Sequence, residues 1–403
     1  MFREGKNRVE RIMEALRTGD SAKIPLALSR EEKDLNEIAK KYCGCVSGVT
    51  QADIDAVCAA LTEKGVTVPD DATVADMAGL IDGIATQSPN GTDWTKISAF
   101  SASSISIICN AAGKWLCALG SNGLYYSTDG INWVRTSFKP GNIKYIACAN
   151  GKWVSGTNTG LYYSDDGITW TQSNITSGTF ERRITYGNGL WHAGAATCLY
   201  YSADGMTWTL ADGISVSAEV MCANGKWVAA TNTGLYYSDD GITWTQSNIT
   251  SGTARFPKYA DGIWVASVVS QGLYYSDDGM TWTQSNTTST TIMSIAYGNG
   301  VWLAGASTGL YRSDDGKKWS QNSYSGNYRN IAYACGVWVA ASGGATSGYV
   351  RYSTDDGQNW ANSNLHIKAS ALDSATLMHA NGVWLIGGDN SGLYYSVTWK
   401  PSA

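Results

Sequence analysis

The stretch Gly151–Asn174, with the sequence GKWVSGTNTGLYYSDDGITWTQSN, returns almost letter for letter at Gly225–Asn248. Looser copies recur along the chain, and their first tryptophans are Trp115, Trp153, Trp191, Trp227, Trp264, Trp302, Trp338 and Trp384. The intervals between these tryptophans are 38, 38, 36, 37, 38, 36 and 46 residues. A unit with such a period is usually one supersecondary block that buries its apolar face only against its neighbours. The sequence therefore predicts eight consecutive structural repeats.

Each copy has the pattern of four short antiparallel strands. In the second copy the predicted strands are Lys144–Ala149, Lys152–Gly156, Gly160–Ser164 and Thr169–Ser173, and they are separated by Asn-Gly, Asn-Thr-Gly and Asp-Asp-Gly turns. Repeats of this length and content are typical of β-propeller blades, whereas a solenoid has shorter coils and atypical end caps. We therefore predict an all-β, eight-bladed β-propeller with four-stranded antiparallel blades over residues 89–403.

The two ends of the repeat array predict how the ring closes. Trp94-Thr95-Lys96 matches the fourth strand of a blade but precedes the first complete copy, and the last copy lacks the Asp-Asp-Gly turn. If Trp94–Ser98 pairs beside Gly392–Ser396, the last blade is completed and both sheet edges are hidden. Eight copies favour eight blades, although the pattern alone leaves a seven-bladed ring open.

Residues 1–88 differ in composition from the repeats. They hold 26 charged residues, against 37 in the 315 residues that follow. Capping-box pairs such as Ser29 with Glu32 and Thr73 with Asp76, followed by apolar residues at helical spacing, predict a small α-helical domain. Helices this short need a partner surface to persist, so we expect this segment to dock or to form a homo-oligomer. The alternative is an independently folded domain without a partner.

The composition argues against several classes of function. A formal net charge of −5 does not suit a nucleic-acid partner that is held by phosphate contacts. The sequence holds no apolar run long enough for membrane insertion, and its charged N-terminus does not resemble a secretory signal. We expect no cofactor and no metal, because Cys43 and Cys45 have no further Cys or His at zinc spacing. Cys148 and Cys222 occupy the same place in two repeats and are predicted to be buried thiols.

Two resemblances rest on particular residues. The segments NRVERIMEALRTGD from Asn7 and ADIDAVCAALTEKGVTVPDDATVADMAGLIDGI from Ala52 resemble N-terminal regions of tail-fibre and minor structural proteins from phages and prophages of Gram-positive bacteria. This likeness implies a segment that fastens an adhesin to a phage tail or baseplate. Ser353–Trp360 resembles the Asp-box, or BNR repeat, of sialidase-type propellers, and most other copies are one residue short. That likeness implies the propeller fold and a turn with a role in folding.

Candidate catalytic residues are scarce in the predicted propeller. By the sialidase resemblance, an enzyme of that type would need a Tyr–Glu pair, an acidic Asp and an arginine cluster. The predicted propeller has two glutamates, Glu181 and Glu219, and no pair of carboxylates with contrasting environments stands out. We therefore predict that the chain is not an enzyme.

Departures from the repeat indicate a candidate ligand site. The residues nine positions before the first tryptophans are Ser106, Lys144, Arg182, Ala218, Arg255, Met293, Arg329 and Ala375. Four of them are basic, and equivalent positions in a propeller form a ring around its axis. We therefore expect these side chains to converge on one axial mouth, where they would suit a carboxylate or sulfate. The alternative is that the starts of strands are solvated and tolerate charge.

The loops between blades on the same face are rich in Ser, Thr, Asn and Gly, and Tyr324 and Tyr328 add aromatic rings there. Exposed rings beside small hydrogen-bonding groups suit a saccharide, although polar loops are also simply soluble.

Together these features predict an attachment protein. We expect a phage tail receptor-binding protein in the virion, outside the cell, that binds a bacterial surface polysaccharide. The predicted ligand-binding residues are Lys144, Arg182, Arg255, Arg329, Tyr324 and Tyr328, and residues 1–88 are predicted to hold tail or baseplate proteins. A glycan-cleaving, sialidase-like propeller and a protein-binding propeller scaffold are the alternatives.

Overall fold

The computed structural model of the chain describes residues 91–100, 104–180, 182–288, 290–343, 348–367, 376–388 and 392–397. These ranges contain eight four-stranded sheets, and the prediction of an eight-bladed propeller with antiparallel blades is confirmed. The predicted helices of residues 1–88 lie outside them. Within the same ranges, no helix has the length and apolar character needed to cross a bilayer.

Blades 1 to 4 are each built from four consecutive strands, numbered from the strand nearest the axis outward. Blade 1 contains β2 (Ile107–Ala111), β3 (Lys114–Ala118), β4 (Leu124–Ser127) and β5 (Val134–Arg135). Blade 2 contains β6 (Ile143–Ala149), β7 (Lys152–Thr157), β8 (Gly160–Ser164) and β9 (Thr171–Gln172). Blade 3 contains β10 (Ile184–Gly187), β11 (Leu190–Gly194), β12 (Leu199–Ser202) and β13 (Thr209–Leu210). Blade 4 contains β14 (Ala218–Ala223), β15 (Lys226–Thr231), β16 (Gly234–Ser238) and β17 (Thr245–Gln246).

Blades 5 to 7 repeat this order, and blade 8 takes its outer strand from the other end of the propeller. Blade 5 contains β18 (Ala254–Ala260), β19 (Ile263–Val268), β20 (Gly272–Ser276) and β21 (Thr283–Gln284). Blade 6 contains β22 (Ile292–Gly298), β23 (Val301–Ala306), β24 (Gly309–Ser313) and β25 (Ser320–Gln321). Blade 7 contains β26 (Asn327–Ala334), β27 (Val337–Gly343), β28 (Gly348–Ser353) and β29 (Ala361–Ile367). Blade 8 contains β30 (Thr376–Ala380), β31 (Val383–Gly388), β32 (Gly392–Val397) and β1 (Thr95–Lys96), and single 3-10 turns span Ser98–Phe100 and Gly120–Asn122.

The ring closes through β1, as the sequence predicts. Thr95 pairs with Tyr395 and Lys96 with Tyr394. The Ile97 amide extends the ladder by donating to the Leu393 carbonyl at 2.8 Å. Because β1 occupies the outer edge of blade 8, the strand-pairing groups of β32 are satisfied on both sides.

The first tryptophan of each blade fills the space between that blade and its neighbour. All eight are no more than 2% exposed. Trp153, for example, packs in one cluster with Ile107 and Leu116 of blade 1 and with Ile143 of its own blade. An indole of this size supplies more buried apolar area than any other side chain, so these seams form the core of the propeller.

In blades 1 to 7 the turn before the second tryptophan is a hydrogen-bonded unit that we call the serine–aspartate turn. In blade 2 the Ser164 hydroxyl donates to Asp166 Oδ1 at 2.9 Å, and the same oxygen accepts the amides of Ile168 and Thr169. Trp170 Nε1 then donates to the Gly167 carbonyl at 3.1 Å. The serine–aspartate bond recurs at Ser127–Asp129, Ser202–Asp204, Ser238–Asp240, Ser276–Asp278, Ser313–Asp315 and Ser353–Asp355.

A second device links the outer edges of neighbouring blades. Asn174 accepts the Trp208 amide at 2.8 Å and donates to the Trp208 carbonyl at 2.9 Å, so that blade 2 is joined to blade 3. We call this paired bond the amide latch. It recurs between Asn248 and Trp282 and between Asn286 and Trp319. These asparagines lie in the polar loops that the sequence indicates as candidates for saccharide binding. Their side-chain amides instead bond the backbone of the next blade.

His192 alters the seam between blades 3 and 4. It follows the first tryptophan of its blade, where other blades carry Val154, Val228 and Val265. Its Nε2 lies 2.6 Å from the Gly241 carbonyl, which therefore accepts the imidazole proton, and Trp244 Nε1 is left without a partner. Burial lowers the pKa of His192 to about 4, despite the opposing hydrogen bond to Gly241.

Ring closure can be tested by deleting residues 91–98. We expect the deletion to lower the melting temperature and to promote aggregation, because it exposes the β32 edge and removes the bond from the Trp94 amide to Asn364. Thermal unfolding and light scattering measure both effects. The exposed Asp93→Ala variant serves as the control, and a deletion that melts like the wild type contradicts closure through β1.

The serine–aspartate turn predicts acid sensitivity. Burial raises the pKa of Asp166, but hydrogen bonds from Thr169, Ile168 and Ser164 outweigh it and lower the pKa to about 2. Since the folded pKa lies below the ordinary 3.8, this carboxylate stabilises the fold above that value and its contribution is lost as pH falls towards 2.

We expect Asp166→Ala to lower the free energy of unfolding by about 1–2 kcal/mol at neutral pH, because it strands several turn amides. Denaturant titration of this variant beside Asp165→Ala measures the effect, since Asp165 is mostly exposed and forms a surface ion pair with Lys152. Equal losses in the two variants, or a difference that persists at the lowest pH, would contradict the capping role.

The His192 seam predicts a second, separate pH effect. The folded pKa of about 4 lies below the ordinary 6.5, so the unfolded state binds more protons between these values. Stability from this seam is therefore complete above pH 6.5 and declines as pH falls to about 4. We expect His192→Val to flatten the melting temperature over that interval, whereas an unchanged slope would show that His192 does not cause it.

Candidate functional site

The innermost strands of neighbouring blades lie side by side around the axis. Strands β6, β10, β14 and β18 are adjacent in that order. Direct bonds join them, as the Thr185 hydroxyl on β10 donates to the Val220 carbonyl on β14 at 2.7 Å. Side chains from the start of these strands in blades 2 to 5 are consequently brought together.

Blades 2 to 5 contribute a group of side chains, most of them charged, which we call the axial cluster. Its members are Tyr145, Arg182, Arg183, Glu219, Arg255 and Lys258. Tyr145 lies within electrostatic reach of Glu219 and the three arginines, and Lys258 within that of Arg183 and Glu219. Arg183 Nε lies 3.5 Å from Glu219 Oε1, and the amide of Phe256 donates to Glu219 Oε2 at 3.2 Å. Arg182 Nε donates to the Ser217 hydroxyl at 3.2 Å. The cluster therefore has a fixed anionic centre surrounded by cationic groups.

Exposure differs sharply within the axial cluster. The side chain of Glu219 is 13% exposed, whereas that of Arg183 is 61% exposed. Arg255 is also exposed, and Arg182 is half-buried. The guanidinium groups of Arg183 and Arg255 therefore reach solvent, whereas the Glu219 carboxylate that pairs with Arg183 is largely buried.

Burial and neighbouring charges change the acid–base behaviour of the cluster. Burial raises the pKa of Tyr145, and Glu219 adds to this, against the opposing arginines. Tyr145 is therefore a hydrogen-bond donor at neutral pH. Burial also lowers the pKa of Lys258 to about 8, with a further lowering from Arg183. Four cationic side chains against one carboxylate give the cluster an excess of positive charge, which suits an anionic ligand.

The structure corrects the expected ring of basic residues. A β-bulge inserts one residue into β6, β18 and β22, so counting back from the tryptophan does not select equivalent positions. Lys144 is the inserted residue of β6, whereas Arg255 pairs with Ser267. Equivalent positions on the inner strands are those that pair with the residue three positions after the first tryptophan. In blades 2, 4, 5 and 6 they are held by Tyr145, Glu219, Arg255 and Ser294.

The four predicted basic residues are therefore not one ring. Arg182 and Arg255 belong to the axial cluster, and Lys144 precedes Tyr145 of that cluster directly in the chain. Arg329 lies on β26 of blade 7 and is half-buried. The ligand-binding role of all four stays a prediction.

Tyr328 and Tyr324 are not the exposed rings that the sequence predicts. Tyr328 is 1% exposed, and its hydroxyl accepts a bond from Arg351 Nη1 at 2.5 Å. It stands ten residues before its tryptophan, as do the buried Ile143 and Ile292, so the position belongs to the seam. Tyr324 is half-buried, and its hydroxyl accepts the Trp360 amide at 3.2 Å.

Sequence reasoning missed Tyr145, Arg183, Glu219 and Lys258 as a group. One signal was present, because Glu219 is one of two glutamates in residues 89–403. The β-bulge that brings Lys258 into the cluster has no recognisable signal in the sequence. It depends on Phe256 with a φ of 55°, a left-handed conformation that is rare for a bulky residue.

Cysteines provide no metal site in the described part of the chain. Cys148 and Cys222 pair with Trp153 and Trp227 in equivalent places of two blades and are free thiols, but they are half-buried where buried thiols are predicted. Their strands lie nearest the axis, where neighbouring blades cover them only in part. Within the described ranges, no three His, Cys, Asp or Glu residues are grouped so as to hold a metal ion.

The propeller is similar to solved structures of distant sequence, and two of them, at TM-scores of 0.50 and above, share its fold. The sequence matches no protein family and no curated protein. The computationally designed Ika8 protein is 9% identical with a TM-score of 0.59, and the match covers 75% of this chain and 98% of Ika8. An ancestral GH74 enzyme is 14% identical with a TM-score of 0.50 over 76% of this chain and 54% of its own. YCF48 from Cyanidioschyzon merolae is 13% identical with a TM-score of 0.46, and the match covers 76% of this chain and 99% of YCF48.

These similarities bear on the fold alone. The chain spans about half the length of the GH74 enzyme that it resembles. That neighbour corrects the prediction that the chain is not an enzyme, because the same propeller fold occurs in an enzyme and a scarcity of glutamates does not exclude catalysis. No match supports the phage tail-fibre or Asp-box resemblance, and both stay predictions.

Proposed function

We propose that the propeller binds an acidic saccharide of a bacterial surface polysaccharide at the axial cluster. The observation that carries the proposal is the gathering of Arg182, Arg183, Arg255 and Lys258 around Glu219 in a domain that otherwise holds few charges. A carboxylate or sulfate on a sugar is the group that such a site complements best.

Five members of the cluster have distinct parts in the proposed site, and Lys258 adds positive charge below them. Arg255 and Arg183 are exposed, so their guanidinium groups can meet the ligand first. Glu219 orients Arg183, and the Ser217 hydroxyl holds Arg182. Tyr145 keeps its proton at neutral pH and supplies a hydrogen-bond donor to a ring hydroxyl or carboxylate.

The wider role that we propose is attachment of a phage tail to its host. The resemblance of residues 1–88 to phage tail proteins motivates it, with those residues joined to tail or baseplate proteins in the virion. Single saccharide sites bind weakly, so several copies on one particle, including a homo-oligomer, would raise the avidity without any new contact.

Binding to cells tests the axial site. We expect Arg255→Ala and Arg183→Ala to weaken binding to Gram-positive host cells about ten- to a hundredfold, as the loss of a charge-assisted bond of about 1.5–3 kcal/mol predicts. The loss should shrink at high salt, because the attraction is ionic. Lys318→Ala, which removes an exposed charge from a serine–aspartate turn, is the matched control.

Two further arms separate the possible failures. Cells stripped of surface polysaccharide should lose binding of the wild type, and binding that survives stripping contradicts a glycan receptor. Both arginine variants binding like the wild type would place the ligand away from the axis. Release of reducing sugar from isolated polysaccharide, compared with Glu219→Gln, measures whether binding is accompanied by cleavage.

A further inference from the structure

The seam between blades 1 and 2 departs from the latched seams. Ser137 stands four residues after its tryptophan, where Asn174, Asn248 and Asn286 form amide latches in other blades. Within the described residues, no side chain bonds the Trp170 amide in the way that Asn174 bonds that of Trp208. Blade 2 is therefore held to blade 1 by other contacts at its outer edge.

Phe138 of blade 1 makes the contact with blade 2 at this edge. Its ring stacks on that of Trp170, with centroids 4.9 Å apart and planes at 15°, and meets Tyr162 edge-on at 5.2 Å. The equivalent residue of the seam between blades 6 and 7 is Tyr324, whose hydroxyl accepts the Trp360 amide. Phe138 has no hydroxyl, so the aromatic contact is kept here without the bond that ties the backbone down.

An open pocket results at the rim of the propeller. It has a volume of about 290 Å³ and is lined by Ser137, Phe138, Lys139, Tyr162, Thr169 and Trp170. Trp170 is half-buried, whereas the corresponding Trp208 and Trp282 at latched seams are each 3% exposed. The missing latch thus coincides with accessible indole surface.

We propose that this rim pocket binds one acidic pyranose residue of a saccharide. Aromatic rings offer an apolar surface to the face of a sugar, and the exposed Ser137 hydroxyl can bond its substituents. The ammonium of the exposed Lys139 provides a partner for a carboxylate. The volume lies just below the range of about 300–1,000 Å³ that is usual for ligand pockets, which fits one ring and not an oligosaccharide.

The ligand class rests on the proposed function, whereas the pocket does not. It lies at the outer edge between β5 and β9, and none of its lining residues belongs to the axial cluster. A saccharide chain could then be held at two independent places on one propeller.

Two variants test the rim pocket, one by changing its shape and the other by removing its charge. Ser137→Asn places the latch residue at this seam, so it should close the pocket and raise the melting temperature. Lys139→Ala removes an exposed ammonium and should leave the melting temperature unchanged. The matched control Asn174→Ser removes a latch from the neighbouring seam and should lower the melting temperature without weakening ligand binding at the rim.

The probes are methyl β-D-glucuronoside and methyl β-D-glucoside, followed by saturation-transfer NMR and tryptophan fluorescence on the full chain. We expect the glucuronoside to bind the wild type, and Lys139→Ala to bind it about tenfold more weakly, as loss of one charge-assisted bond predicts. Ser137→Asn should bind neither probe.

Two results would overturn the rim pocket, namely no binding of either glycoside to the wild type or equal binding to wild type, Ser137→Asn and Lys139→Ala. Arg255→Ala separates this site from the axial one. Glucuronoside binding that is lost in Arg255→Ala but kept in Lys139→Ala assigns the ligand to the axial cluster and removes the rim proposal. The opposite pattern supports the rim pocket even if cell binding does not depend on Arg255.

Discussion

Burial of one tryptophan between every pair of neighbouring blades is the constraint on which the rest of the structure depends. A four-stranded blade has two apolar faces and cannot cover either alone, so each seam must be filled from both sides. Trp115, Trp227, Trp338 and Trp384 are completely buried in this role. The ring must therefore close, and β1 supplies the strand that allows blade 8 to present a complete sheet.

Many polar side chains at the outer edges of the blades bond nearby backbone groups, so few of them are left to bind a ligand. The serine–aspartate turns bind their own amides, and the amide latches bind the backbone of the next blade. This explains why many Asp, Ser and Asn residues of the repeat are structural despite lying at the surface. Side chains that the turns and latches do not use are found where the repeat is broken, as at the axial cluster and at the rim pocket beside Phe138.

The axial cluster shows how a small change of register creates a site. An inserted residue in β6 and β18 rotates the following side chains relative to the blade faces, and Lys258 is carried into the cluster by the bulge after Arg255. Neighbouring β14 has no insertion and contributes Glu219. Cationic side chains from blades 3 and 5 can share the carboxylate of blade 4 because the inner strands are adjacent.

The sequence by itself determined the number of repeats, the strand order within each and the closing strand, because tryptophan spacing and Gly-containing turns act locally and repeat. The structure settled that the repeats close as eight blades. Strand bounds in blade 2 followed within two residues of expectation, since turns limit both ends. Only the tertiary structure decided which side chains meet at the axis and that Tyr328 is buried. Those outcomes depend on bulges and on contacts between blades, where residues far apart in the chain compete for the same space, and no local pattern encodes that competition.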